Sequence, residues 1–192
     1  MNQQRTGYPS IDKSWLKYYS EESINAKLPA KSMYQFIYDE NCNHMNDVAM
    51  LYMCKKITYK EMFKHIDVLA ECFAANGINI GDVVTIISLN TPETFYCFYA
   101  LNKIGAIACM EYVTQPEELL LQSLNNVKPK MIIILSLFIE SFKNAINEYG
   151  EKTLVLSPVD TLSVIPRVIG KTNLGLSDRH IKNISIDYRK FY

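Results

Sequence analysis

The sequence predicts an α/β fold built on a mainly parallel sheet, and three observations predict it. Short apolar runs recur without polar alternation, at Val83-Val84-Thr85-Ile86-Ile87, Met131-Ile132-Ile133-Ile134-Leu135 and Thr153-Leu154-Val155-Leu156. Strands buried on both faces read this way. Between them lie stretches whose apolar residues fall at helical spacing. The two kinds of segment alternate along the chain, which is the pattern of βαβ units with right-handed crossovers.

The elements follow in order. Residues 1–30 show no periodicity. Pro9 and Pro29 interrupt them, and Trp15, Tyr18 and Tyr19 give them large apolar faces, so they are expected to form an N-terminal arm packed across a domain surface. Residues 31–157 form the α/β subdomain. Its first helix starts at the N-cap Ser32, with Met33, Phe36 and Ile37 on one face. Val48-Ala49-Met50-Leu51-Tyr52 reads as a short buried strand and Lys55-Lys56 as a turn. Thr58-Tyr59-Lys60-Glu61 fits the capping box, in which cap and third residue satisfy each other's backbone donors. Met62, Ile66, Leu69, Ala70 and Phe73 then give one apolar helix face, and Gly77 supplies the left-handed stop.

After the strand at 83–87, Asn90-Thr91-Pro92-Glu93 starts a helix: Thr91 caps it, Pro92 takes the first position and Glu93 faces the positive end of the dipole. This helix runs through Asn102, is rich in aromatics from Phe95 to Tyr99, and ends at Gly105. Ala106-Ile107-Ala108-Cys109 is a short strand. Pro116-Glu117-Glu118 opens the next helix, which carries Leu119, Leu120, Leu124 and Val127 to the break at Lys128-Pro129-Lys130. Phe138, Phe142 and Ile146 mark a further helix that closes near Gly150, before the last strand. Residues 158–192 read as an irregular tail, interrupted by Pro158, Pro166, Gly170 and Gly175.

Composition excludes several function classes. The 192 residues carry 20 basic and 20 acidic side chains. A zero net charge argues against nucleic acid, which needs a basic excess. The longest nearly apolar run, Met131 to Ile139, is far shorter than the roughly 20 residues that cross a bilayer. No apolar stretch follows Met1-Asn2-Gln3-Gln4-Arg5, so no secretory signal is expected. Five cysteines, 42, 54, 72, 97 and 109, form no C-x-x-C pair. They read as reduced thiols of a cytoplasmic protein, mostly buried as small apolar residues.

No catalytic, cofactor-binding or metal-binding residue emerges. Gly170-Lys171-Thr172 resembles the end of a phosphate-binding loop, but Ile165 stands where that motif needs its first glycine and Pro166 follows it. His44 beside Cys42 lacks further ligands at metal spacing. His65 falls between the apolar sides of its helix and is expected half-buried or at the surface. His180 lies in the tail. No serine has a nucleophile-elbow context. Glu117 and Glu118 begin a helix and answer its dipole. Phe95–Tyr99 reads as a helix face packed on a sheet rather than a ligand pocket. Asn183-Ile184-Ser185 is a sequon without consequence in a cytoplasmic chain.

The turns, taken together, resemble those of the adenylate-forming enzymes, which include acyl-CoA synthetases, peptide-synthetase adenylation domains and luciferases. Ile57-Thr58-Tyr59-Lys60-Glu61-Met62 is similar to the family's Leu-Thr-Tyr-x-Glu-Leu helix start. Gly77-Ile78-Asn79-Ile80-Gly81-Asp82-Val83-Val84 is similar to its Gly-Val-x-x-Gly-Asp-x-Val turn, and Asn90-Thr91-Pro92-Glu93 to its Asn-Ser/Thr-Pro-Glu step. Ala100–Ile107 resembles the Leu-Lys-Ala-Gly-Ala motif, and Thr114–Leu119 the segment opening the next helix. Where the second motif usually continues to proline and aspartate or asparagine, this chain has Met110 and Tyr112.

The resemblance implies the N-terminal part of an AMP-forming acyl-CoA synthetase, an incomplete subdomain ending before the phosphate-binding loop. The parent ligase would use ATP, Mg and coenzyme A to turn a small-molecule carboxylic acid into an acyl-adenylate and then a thioester. The Ser/Thr/Gly-rich loop, the ribose-binding acidic motif and the C-terminal lysine of that mechanism follow the region matched here. The chain alone is therefore expected to bind none of these cofactors and to be inactive, its partner being the remainder of the synthetase in the same or a separate chain. The alternative is a non-enzymatic interaction module, stand-alone or part of a split protein.

Overall fold

The computed structural model describes residues 6–162. The part of the expected tail beyond Leu162, with Gly170-Lys171-Thr172, His180 and Asn183, lies outside the described residues. Two compact units divide between Lys31 and Ser32.

The first unit holds two short helices, α1 (Pro9–Asp12) and α2 (Glu21–Asn25), with a 3-10 turn at Ser14–Tyr18 between them. The Asp12 carboxylate ties its start, accepting from the Thr6 and Gly7 N–H groups at 2.9 and 3.0 Å. Ser20 caps α2 through the Ser23 N–H. Trp15, Tyr18 and Tyr19 are exposed.

The second unit is an α/β layered structure. It begins with α3 (Met33–Asn41) and a two-stranded antiparallel hairpin, β1 (Val48–Tyr52) and β2 (Lys55–Thr58). Then α4 (Tyr59–Ala75), β3 (Val83–Ile87), α5 (Pro92–Lys103), β4 (Ile107–Glu111), α6 (Glu117–Val127), β5 (Met131–Leu135), α7 (Lys143–Tyr149) and β6 (Thr153–Leu156) alternate as expected. The four strands β3 to β6 are parallel, in the order β4-β3-β5-β6.

Successive side chains of a strand point to opposite faces, and this sorts the core. Val84, Ile86, Ile133, Leu135, Leu154 and Leu156 pack with α3, α4 and α5. Ile87, Ile132 and Ile134 pack with Leu120 and Leu124 of α6 and with Phe142 and Ala145. Both faces are covered, which is why these runs carry no polar alternation.

Five expectations need correction. Lys55-Lys56 is not a turn; it begins β2, and the turn is Met53-Cys54, both left-handed at φ 44° and 66°. Neither is a residue type that advertises that conformation. The strand at Val48–Tyr52 forms but is only half-buried, because it lies in a separate hairpin and not in the central sheet. On α3 the expected inward residues Met33 and Phe36 are exposed. Tyr34 turns inward instead: its N–H donates to Asn102 Oδ1 at 2.8 Å and its hydroxyl to Asp67 Oδ1 at 3.1 Å. The helix expected around Phe138, Phe142 and Ile146 is split into a 3-10 turn, Ser136–Phe138, and α7. Of the five thiols, all free, only Cys97 is buried; Cys42, Cys72 and Cys109 are half-buried and Cys54 is exposed on the hairpin turn.

Candidate functional site

In a sheet wound both ways from a central strand, ligands sit at the carboxyl ends of the strands, where the chain reverses direction. Here β3 leads through α5 to β4 on one side, and β5 and β6 lie on the other, so the reversal falls between β3 and β5. Ile87 pairs with Ile134 there, which brings Ser88 after β3 and Ser136 after β5 to the same end of neighbouring strands. Ser157 follows β6, and Glu111 ends β4.

This rim is rich in hydroxyls and carboxyls. Ser88 Oγ lies 2.7 Å from Thr94 Oγ1, Thr91 Oγ1 lies 3.1 Å from it, and Thr94 Oγ1 donates to the Leu89 carbonyl at 2.8 Å. Glu111 accepts from Gln115 Nε2 at 2.9 Å and from the Ser123 hydroxyl. Among the described residues, the buried Ser136 and Ser157 hydroxyls have no hydrogen-bond partner.

Glu93 is the carboxyl that sequence reasoning missed. It was expected only to answer the helix dipole, and it does stand in the first turn of α5. Its side chain, however, is wholly buried. One oxygen accepts from the Thr161 N–H at 2.8 Å and from the Thr161 hydroxyl; the other, Oε2, is buried without a partner. Burial pushes its pKa up, against the hydrogen bond from Thr161. Around it, Tyr52 donates to the Pro158 carbonyl at 2.7 Å and Lys55 to the Thr161 carbonyl at 2.8 Å. No local signal marks this: the partner lies 68 positions away.

The remaining candidates sit as structural groups. His44 is an exposed loop residue 3.3 Å from Asp47. His65 is half-buried, and burial, then Lys55 and Lys64, lower its pKa to about 4. In the Phe95–Tyr99 stretch Tyr96 is buried and Phe95 exposed. Glu117 does more than meet a dipole: its carboxylate accepts from the Asn144 and Ala145 N–H groups at 2.8 and 3.0 Å, so it joins the start of α6 to the first turn of α7.

A phosphate is held by free N–H groups at a helix start. At α5, Pro92 has no N–H, Thr91 takes the Thr94 N–H, and Glu93 already stands there. Glu117 and Glu118 open α6, and Glu117 takes the donors of α7. Thus the start of α5 is capped by a threonine hydroxyl and that of α7 by the Glu117 carboxylate, while α6 has no side-chain cap. Among the described residues no three His, Cys, Asp or Glu side chains gather where a metal ion could be held.

The family model described as AMP-binding enzyme matches residues 38–173. The chain belongs to the AMP-binding enzyme family. The match runs from within α3 past β6 and includes every turn and cap that resembled the adenylate-forming pattern. The chain is 33% identical over 81 residues to the acetyl-coenzyme A synthetase of Dictyostelium discoideum, covering 42% of this chain and 12% of that protein. It is 27% identical over 143 residues to the mitochondrial acyl-CoA synthetase short-chain family member 3 of Bos taurus, covering 66% and 21%. It therefore spans about a fifth or less of the length of these relatives. Among solved structures, it superposes on NpsA of Klebsiella oxytoca with a TM-score of 0.53 and 27% identity, over 66% of this chain and 25% of that one. The luciferase-like enzyme of Zophobas morio gives a TM-score of 0.63 at 17% identity, over 69% and 33%, a likeness of fold alone. The parallel sheet flanked by helices is thus part of the family's N-terminal subdomain. No helix among the described residues is long and apolar enough to cross a membrane.

Proposed function

We propose that these residues are the N-terminal portion of an ATP-dependent acid–CoA ligase, which activates a carboxylate as an acyl-adenylate and passes the acyl group to the thiol of coenzyme A. The observation that carries the reading is the family match over residues 38–173, together with acetyl- and acyl-CoA synthetases among the relatives. The chain's own part is scaffold: a two-faced sheet whose carboxyl end forms one wall of the parent's cleft. By itself it is inactive. Expelling pyrophosphate needs preorganised donors and cations where charge develops, and no Ser/Thr/Gly-rich loop is found in the sequence to supply them. ATP, Mg and coenzyme A belong to the complete ligase, which works in the cytoplasm.

ATP–pyrophosphate exchange with a panel of carboxylic acids tests this. The pure 192-residue chain gives no exchange with any acid; measurable exchange overturns the inactivity. The intact mass of the native protein tests the parentage. A mass tens of kilodaltons above 22.1 kDa supports a full ligase.

A second reading rests on the sheet edge. Among the described residues β4 has a neighbour on one side only, and Ile107 and Met110 on it are about half exposed. An unpaired strand of this kind pairs readily with another chain. A native mass of 22.1 kDa, with a second chain recovered in a pull-down, favours a split or stand-alone module over the head of a ligase.

A further inference from the structure

The chain leaves its last described strand, β6, through a turn at 157–162 that is held from three directions. Within the turn, the Asp160 N–H donates to the Ser157 carbonyl at 3.3 Å and the Leu162 N–H to the Val159 carbonyl at 3.1 Å. The hairpin reaches it through Tyr52 and Lys55. Glu93 of α5 takes both donors of Thr161 on one oxygen. Val159, Asp160, Thr161 and Leu162 are all buried.

A buried carboxyl with one orphaned oxygen is a poor way to stabilise a core, because desolvation offsets what its hydrogen bonds contribute. Its value lies in geometry: one oxygen receiving an N–H and an O–H from a single residue fixes that residue's position. We propose that Glu93 is a positioning residue, whose carboxyl sets where the chain exits the sheet at Thr161 and hence the point from which the following segment starts. Resting on the ligase reading, the inference deepens it in one respect, since the phosphate-binding part of such an enzyme lies downstream of this turn.

Amide hydrogen exchange on the 192-residue chain, resolved by residue, tests it without ATP or acid, so it stands or falls apart from the ligase reading. In Glu93→Ala the Thr161 amide exchanges about tenfold faster or more, the scale of one lost hydrogen bond to a carboxyl group, while the Ile86 and Ile133 amides stay within about twofold, as local opening allows. Glu93→Gln, whose amide oxygen accepts the same donors, restores most of the protection. Unchanged exchange at Thr161 overturns the proposal, as does failure of Glu93→Gln to restore it. Parallel loss at Ile86 and Ile133 makes Glu93 a core group and overturns it too. If Glu93→Ala does not fold, Thr161→Val decides. Removing the hydroxyl donor speeds exchange at residue 161 and leaves Ile86 and Ile133 unchanged; no change at residue 161 overturns the proposal.

Discussion

The imidazole of His65 lies flat against the ring of Tyr96, with 4.9 Å between centroids and 23° between planes, and so joins α4 to α5. Stacking of this kind is favourable for a neutral ring, and burial beside Lys55 and Lys64 keeps it neutral, with the pKa lowered to about 4.

The pH dependence follows from the sign of that shift. In the unfolded chain His65 titrates near its ordinary value of about 6.5. As the pH falls below that value the unfolded state takes up the proton first, so stability declines from about 6.5 down to about 4 and levels off below. Carboxylates titrate in the same range, so the informative quantity is a difference. Urea midpoints of wild type and His65→Gln, measured at pH 7 and pH 4.5, converge at the lower pH. A gap that stays constant shows that His65 titrates normally in the folded chain.

Thr58 and Glu61 form the reciprocal cap expected from sequence. The Glu61 N–H donates to Thr58 Oγ1 at 3.2 Å and the Thr58 N–H to Glu61 Oε2 at 2.9 Å. Thr58→Ala loses about 1 kcal/mol. The double variant Thr58→Ala, Glu61→Ala loses less than the sum of the single ones, because the two bonds depend on one geometry. The Glu61 carboxyl is held below its usual range, first by the Thr58 N–H. Its contribution is therefore present above the ordinary glutamate value and is lost as the pH falls through the lowered one. Thermal melts at pH 7 and pH 3 check both statements; strict additivity at pH 7 contradicts the paired cap.

Gly150 and Gly81 are both turn glycines for different reasons. Gly81 sits at φ +81° with open space around a Cβ, so Gly81→Ala costs only backbone strain, about 1–2 kcal/mol. Gly150 has an ordinary φ of −89°, but an added Cβ would run into the Ile146 carbonyl oxygen and come within 2.6 Å of Thr153 Oγ1. Backbone cannot give way cheaply. Gly150→Ala is therefore the more damaging change, at or above the upper end of roughly 1–3 kcal/mol for overpacking. Denaturant unfolding of the two variants decides the order, and Gly81→Ala as the worse variant contradicts it.

How much of this was legible depends on the distance over which each feature is encoded. Val83–Ile87, Met131–Leu135 and Thr153–Leu156 were readable to the residue because burial on both faces leaves an unbroken apolar run. The Thr58 and Thr91 caps were readable because cap and partner are three positions apart. The Met53-Cys54 turn was not, since neither residue signals a positive φ. Nor was the inward Tyr34, which is set by Asn102 and Asp67 from other helices. The link from Glu117 to α7 and the link from Glu93 to Thr161 span 27 and 68 positions, and local pattern carries no trace of either.

Leu124 and Leu119 test the layer assignment most directly. Both lie on α6 and both were expected to mark its apolar side. Leu124 is fully buried in the cluster with Ile132, Ile134 and Phe142, whereas Leu119 is 51% exposed. Truncating a buried leucine removes its transfer free energy and leaves a cavity, so Leu124→Ala loses about 2–5 kcal/mol. Leu119→Ala vacates no cavity and loses well under about 1 kcal/mol. The unfolding slope in urea stays that of the wild type in both, since the same surface is exposed on unfolding. Equal losses in the two variants would place the helix in the wrong rotation about its axis, and with it the face of the sheet that α6 covers.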